Sequence, residues 1–155
     1  MKLAEFIKAH VDEINENNFT KVYEDLVDDL DSEEEEREIG KFTDMLIDAG
    51  INPLMYMKTI PQYYMSGSSQ TSIEIPEHIQ SIDFDAFDSC KGLKSITIPD
   101  SVTSIDVQAF LGCDRLRNIT FNGTIAQWKA IDQIWCWPDD MEYCIIHCTD
   151  GDLKE

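Results

Sequence analysis

Hydrophobic residues in the first part of the chain recur every three or four positions, the spacing of one buried helix face. Three such sets follow one another, in residues 3–14, 19–30 and 39–49. Gly50 comes directly after the third set, where glycine is favoured just past a helix end. The pattern therefore predicts a small helical bundle, and we place it in residues 1–59.

Two capping signals support this prediction. Ser32 and Glu35 form a capping box ahead of the third hydrophobic set. Asn52 and Pro53 have the residue types of a cap and of a first helical position, so they predict one further short turn. Methionine and tyrosine residues cluster at the junction that follows this turn. We expect them to join the bundle to the next unit and to cover its first strand edge.

Beyond residue 59 the pattern changes to a repeat with a period of 23 residues. A period in this range is typical of a solenoid, in which each unit buries its apolar positions against its neighbours. Ile60 to Gly67 looks like a half-unit that is one residue shorter. The superimposed positions are Ile73, Ile96 and Ile119; Ile75, Ile98 and Phe121; Ile82, Ile105 and Trp128; Phe87 and Phe110; Cys90, Cys113 and Cys136; and Leu93 and Leu116.

Within each repeat, a Ser-Ile-Thr-Ile segment alternates polar and apolar residues with period two. This alternation predicts short parallel strands whose isoleucines point inward. The polar residues then form two outward rows, and solenoids usually bind partners on such a face. A solvated strand face without a ligand is the alternative. The candidate binding residues of this face are Glu74, Thr97, Thr120, Ser95 and Asn118, with Ser72 beside them.

Residues 72–93 and 95–116 resemble the BspA-like leucine-rich repeat family, and residues 121–151 resemble the segment that closes many of its arrays. A helical segment before two or three such repeats is similar to small phage-encoded members. The resemblance implies an α+β fold in which an N-terminal helical bundle caps a short leucine-rich repeat stack, a parallel β-solenoid. We assign the repeats and their closing segment to residues 60–155.

Charge is the outlier of the composition: 31 acids against 12 Lys and Arg residues give a formal net charge of −19. Direct binding of nucleic acid or anionic lipid is excluded, because those partners need a positive patch. A protein partner with a basic surface fits this charge, and so does mimicry of nucleic acid. The densest acidic run is also explained by a solvated connection between helices. Its members are Asp28, Asp29, Asp31, Glu33, Glu34, Glu35, Glu36 and Glu38.

Tryptophan near the C-terminus gives a third candidate contact surface, since Trp dominates many protein interfaces. Trp135 and Trp137 are the candidates there, although such aromatic residues also plug the open end of a solenoid. Trp128 occupies the inward isoleucine position of the repeat, so we predict that it lies in the core.

Cysteine and histidine residues suggest chemistry only weakly. The Cys90, Cys113 and Cys136 column is explained by a buried ladder, because cysteine is among the most buried residue types. Cys144, His147 and Cys148 have a spacing that could hold zinc, but they also alternate as in a strand. His10, His78 and His147 are formal bases, and no motif surrounds them. We therefore predict no metal site, no cofactor and no enzyme activity.

Neither a membrane span nor a signal-peptide pattern is recognisable, so we expect a cytoplasmic protein with reduced cysteines. Our functional prediction is a non-enzymatic protein-binding module of phage type that inhibits or redirects a bacterial protein. The alternative is an acidic nucleic-acid mimic that blocks the basic groove of a DNA- or RNA-binding defence protein, such as a nuclease. The sequence assigns no oligomeric state.

Overall fold

The computed structural model describes residues 18, 21, 23, 25, 39–48, 50, 52–133 and 144–154. Short parallel strands in this part of the chain form a β-solenoid, with helical segments at both ends. The elements in chain order are α1 (Ile39–Asp48), the 3-10 helix η1 (Pro53–Tyr56), β1 (Thr59–Ile60), β2 (Ser72–Glu74), β3 (Ser81–Ile82), β4 (Ser95–Ile98), β5 (Ser104–Ile105), β6 (Asn118–Phe121), α2 (Ile125–Ala130), β7 (Asp132–Gln133), β8 (Ile145–Cys148) and β9 (Gly151–Lys154).

The strands form two sheets on different sides of the solenoid. Sheet 1 has the order β1-β3-β5-β7, and sheet 2 has the order β2-β4-β6-β8-β9. All neighbouring pairs are parallel except β8 and β9, which form an antiparallel hairpin. Ser72 pairs with Ser95, and Ser95 pairs with Asn118, which confirms the period read from the sequence. Thr59 pairs with Ser81, so the first half-unit is indeed one residue shorter.

Each inward position of one coil rests on the same position of the next coil. Ile96 and Ile119 are 1% and 0% exposed, because a strand covers each of them on both sides. The rings of Phe87 and Phe110 stack with centroids 5.1 Å apart and planes inclined by 3°. The repeat thus stacks identical side chains into continuous apolar columns, which is how a solenoid builds one core.

Two cysteines form the predicted buried ladder. The Sγ atom of Cys90 donates to the carbonyl oxygen of Met65 at 2.9 Å, and that of Cys113 donates to Phe87 at 3.1 Å. The interaction with Cys113 and burial both raise the pKa of the Cys90 thiol, so it stays protonated as a donor. Cys136, the third predicted member, lies outside the described residues.

A buried carboxylate fastens α1 to the first coil. Asp44 is 8% exposed, and its two oxygens accept three hydrogen bonds. Ser68 Oγ donates at 2.7 Å, Ser69 N at 2.9 Å and Ser69 Oγ at 3.0 Å. Because hydrogen bonds to an ionised acceptor are stronger than neutral ones, this contact fixes the position of the helix.

The N-terminal half of α1 lies close to the main chain of the same coil. Gly40 N donates to the Ser66 carbonyl oxygen at 3.0 Å, and Thr43 Oγ1 donates to the Tyr64 carbonyl oxygen at 2.6 Å. A Cβ atom at position 40 would overlap the carbonyl oxygen of Ser66 and come within 2.6 Å of that of Met65. Only glycine therefore permits this close approach.

The predicted end of α1 and the predicted start of η1 are confirmed, whereas the predicted capping box of Ser32 and Glu35 lies outside the described residues. Gly50 has a φ angle of +82°, the left-handed conformation expected just past a helix end. Asn52 Oδ1 accepts from Leu54 N at 3.1 Å, and Pro53 is the first residue of η1. These residues stop α1 and start a second short turn against the solenoid.

The predicted N-terminal bundle is not shown by the described residues. Besides α1 and η1, only three positions near residue 23 are described as helical. Tyr23, Ile39 and Leu46 join the same hydrophobic core as the solenoid coils. The remaining predicted helical positions lie outside the described residues, so the described helical residues act as a cap on the first coil.

The predicted register of Trp128 with Ile82 and Ile105 is wrong, although its burial in the core is confirmed. Trp128 lies on α2 and is 3% exposed, with its ring edge on Phe121 at a centroid distance of 5.3 Å. Ile105 pairs instead with Gln133. The cause is local: residues 124–127 form a capping box that starts a helix where earlier coils have a strand.

Replacing Asp44 by alanine should detach α1 from the first coil. The change leaves the donors of Ser68 and Ser69 without their acceptor, so we expect the free energy of unfolding to fall by about 3 kcal/mol. Asp48, one turn later on the same helix, is exposed. Asp48→Ala should therefore change stability by less than about 0.5 kcal/mol. Urea denaturation of both variants tests this, and equal effects would contradict the anchoring role of Asp44.

Removing the hydroxyl of Tyr64 should not destabilise the protein. Within the described part of the chain this buried hydroxyl has no hydrogen-bond partner, and the nearby Leu54 N donates to Asn52 instead. Burial raises its pKa, so it remains an unsatisfied donor. We expect Tyr64→Phe to be neutral or stabilising by up to about 1 kcal/mol.

The neighbouring Tyr23 provides the matched control for this prediction. Its hydroxyl donates to the Gln62 carbonyl oxygen at 2.6 Å. Tyr23→Phe should therefore lower the free energy of unfolding by about 1 kcal/mol. Thermal or urea denaturation compares the two variants. A loss of that size for Tyr64→Phe would show that its hydroxyl has a partner in solution.

Candidate functional site

The outward side of sheet 2 carries two straight rows of side chains, which we call the repeat face. Alternate residues of each strand point outward, and the register of the sheet aligns them with those of the next strand at a spacing of about 4.8 Å. The first row is Ser72, Ser95, Asn118, Ile145 and Lys154. The second row is Glu74, Thr97, Thr120, His147 and Asp152.

The structure thus brings together all five candidate residues predicted for this face and extends them by two strands. The sequence analysis missed the added residues, which are Ile145, Lys154, His147 and Asp152. The alternating residues 143–148 carried a signal for β8. The return of β9 as an antiparallel strand breaks the repeat pattern, and no periodicity could have located it.

Small neutral groups dominate the middle of the repeat face. Ser95 and Thr97 are half-buried between neighbouring strands, whereas Asn118 and Thr120 are exposed. The ionised side chains lie at the ends of the rows: Glu74 at one end, and Asp152 with Lys154 at the other. The face therefore offers hydroxyl and amide hydrogen bonds rather than a strong negative field.

His147 links three strands of this face. Its Nδ1 atom lies 2.9 Å from Asp152 Oδ1, and its Nε2 atom lies 3.2 Å from Asn118 Oδ1. The side chains of His147 and Asp152 are 39% and 57% exposed, so the pair contributes at most about 1 kcal/mol.

Four cations form a basic rim beside the repeat face. They lie in the loops that lead into β4 and β6, and they are Lys91, Lys94, Arg115 and Arg117. All four are exposed, and within the described part of the chain none has a carboxylate at ion-pair distance. Exposed cations beside neutral hydrogen-bonding rows suit a contact that presents carboxylate or carbonyl oxygens.

Carboxylates on the other sheet are arranged differently. Asp83 and Asp106 directly follow β3 and β5, so the repeat stacks them one above the other. Burial, and then the charge of Asp106, raise the pKa of the Asp83 carboxyl. These acids do not belong to the repeat face.

The two other predicted surfaces lie outside the described residues. They are the acidic run of residues 28–38 and the tryptophans Trp135 and Trp137. Their roles in partner binding stay predictions.

Cys144 and His78 have structural roles in the described structure. Cys144 is buried, and burial raises its thiol pKa to about 11. His78 Nε2 lies 2.7 Å from the Leu54 carbonyl oxygen, so it ties η1 to the solenoid. Among the described residues, no three His, Cys, Asp or Glu side chains lie close enough to hold a metal ion. Cys148 is half-buried, and His10 lies outside the described residues.

Comparison with known proteins supports the repeat assignment. Residues 58–131 match the family described as BspA type leucine-rich repeat region (6 copies). A solved leucine-rich cell surface protein from Faecalibacterium prausnitzii matches with 43% identity over 48% of this chain, at a TM-score of 0.47. The match covers 20% of that protein. No curated protein matches. Within the described residues, no helix has the length and apolar character needed to cross a membrane.

Replacing Asp83 by asparagine should stabilise the protein at neutral pH. Its folded-state pKa is raised above the ordinary value of 3.8, so ionisation opposes folding as the pH rises through that range. We expect Asp83→Asn to raise the Tm at pH 7 and to lose this advantage at pH values below 3.8. Thermal denaturation across pH tests this, with the exposed Asp100→Asn as control. A gain independent of pH would contradict the stated cause.

Proposed function

We propose that this chain is a binding module that holds another protein on the repeat face; the match of residues 58–131 to the BspA type leucine-rich repeat region supports this. The observation that carries the proposal is the register of sheet 2, which aligns ten side chains from five strands into two rows. Such an extended regular surface is how solenoids engage partners.

The chemistry of the repeat face indicates the kind of contact. Its central hydroxyl and amide groups pair with the polar groups of a partner, and the basic rim attracts carboxylates. A partner that docks here therefore presents acidic or neutral groups at Lys94 and Arg117. The basic partner predicted from the net charge of −19 fits the acidic run of residues 28–38 instead.

We further propose that the partner is a bacterial protein that the chain inhibits or redirects, with residues 1–59 as the capping unit and residues 60–155 as the binding unit. Nucleic-acid mimicry is the second candidate, and the net charge of −19 is the observation that favours it. The two candidates use different surfaces, so they can be separated by mutation and by salt.

Arginine at the centre of the repeat face should abolish partner binding. Thr97 is half-buried between Glu74 and Thr120, so a long charged side chain there would block both rows. Partners captured from a bacterial lysate are identified by mass spectrometry, and the affinity of each purified partner is then measured. We expect Thr97→Arg to weaken binding by at least about tenfold, or 1.4 kcal/mol, with modest dependence on salt.

The matched control is Thr103→Arg, an exposed threonine just before β5 in sheet 1. It should bind the partner like the unmodified chain, and both variants should keep the parent Tm. A partner unaffected by Thr97→Arg would refute the repeat-face proposal. If that partner is retained only at low salt and is lost when residues 33–36 become lysine, mimicry is supported instead.

A further inference from the structure

The first strand of sheet 2 has an open edge. Ser95 N donates to the Thr71 carbonyl oxygen at 3.4 Å, and Ile75 N donates to the Thr97 carbonyl oxygen at 2.9 Å. In a parallel strand, alternate residues direct their main-chain groups to the same side. The intervening main-chain groups of β2 therefore point away from β4.

Ser72 and Glu74 are these intervening residues. Both are exposed, and within the described part of the chain β4 is the only strand paired with β2, so their main-chain N–H and C=O groups face no partner strand. A row of unpaired donors and acceptors is a template for a further strand.

The incomplete burial of Ile73 is a second indication that a neighbouring strand is missing at this edge. Ile73, Ile96 and Ile119 occupy one repeat position, and Ile96 and Ile119 are at most 1% exposed. Ile73 is only partly buried, because no described strand lies on its outer side. The column of stacked isoleucines thus ends one strand short.

A cleft of about 160 Å³ lies beside this edge. Ile47 at the end of α1, Leu54 of η1, Met65 and Ile73 supply its apolar walls. Cavities of about this size accept a benzene-sized apolar group. A residue placed alongside Ile73 in an added strand would point its side chain inward, toward this cleft.

We propose that the open edge of β2 binds an extended peptide of a partner protein as a sixth strand of sheet 2, with one leucine- or phenylalanine-sized side chain in the cleft. Main-chain hydrogen bonds to Ser72 and Glu74 supply the pairing, and the cleft supplies side-chain selectivity. This site uses the edge of the sheet, so it does not depend on binding to the repeat face.

Charge determines the kind of peptide. Glu74 stands exposed on the strand that would be paired, and Asp48 stands exposed at the end of α1, whose Ile47 lines the cleft. A basic residue flanking the apolar anchor complements these carboxylates. A second copy of this chain is the less suitable occupant, because two chains that each carry a formal net charge of −19 repel each other.

To test this, short peptides of fully randomised sequence are selected for binding to the full chain. The affinity of each enriched peptide is then measured. Glu74→Pro removes an N–H that points to the open edge, and proline is tolerated at such edge positions. Glu74→Thr is the matched control, because it removes the same carboxylate and retains the N–H. Threonine also occupies this repeat position in β4 and β6.

We expect peptides with one large apolar residue and a flanking basic residue, bound at least about tenfold more weakly by Glu74→Pro than by Glu74→Thr. Amide hydrogen exchange gives a readout specific to strand addition. The amides of Ser72 and Glu74 should exchange fast in the free protein and slowly with peptide, while that of Ile75 is protected in both.

Enriched peptides that bind Glu74→Pro and Glu74→Thr equally, or that leave the Ser72 and Glu74 amides unprotected, would overturn the proposal. Failure to enrich any peptide would also overturn it. A concentration-dependent dimer that protects these amides without peptide would assign the edge to a second copy. Thr97→Arg should bind the selected peptide normally, so failure here and failure of the repeat-face proposal are distinguishable.

Discussion

The stacking of equivalent residues in successive coils is the constraint on which the rest of this structure depends. Parallel main-chain ladders hold the coils in register, and each inward side chain is covered by its counterpart one period away. Ile96 and Ile119 are buried for this reason, and Phe87 and Phe110 stack face to face. A coil has no core of its own, so its stability comes from its neighbours. The same register aligns the polar residues on the outer side of sheet 2 into rows.

A stack of this kind has two ends, and they are closed by different means. At the N-terminal end, Asp44 of α1 accepts three hydrogen bonds from the first coil, and Ile39 and Leu46 join the solenoid core. At the C-terminal end, α2 inserts Trp128 against Phe121, and β9 completes sheet 2 as an antiparallel strand. This closure secures the turn of the first coil, and within the described part of the chain it leaves β2 uncovered. The described structure thus combines a continuous face on sheet 2 with an open edge at β2.

Periodicity predicted the parts of the fold that the stack itself determines. Strand positions, the shorter first half-unit, the cysteine ladder and the rows around Thr97 all follow from one shift along the sequence. The end closures could not be derived in this way, because they obey local rules. Trp128 matched the period, yet a capping box turned its segment into a helix. His147 entered the repeat face because β8 pairs with β6 after a longer connection.

Equivalent residues of successive coils pair directly with one another, and this register has a consequence for the evolution of such a protein. Ser72, Ser95 and Asn118 are paired without slippage, so one complete repeat ends where the next begins. An in-frame duplication of one repeat between β4 and β6 would find its ladder, its isoleucine column and both end closures already in place. The array can therefore lengthen internally while its terminal structures stay unchanged. Duplication of one repeat in the gene would lengthen the outward face of sheet 2 by one strand and would leave the fold unchanged.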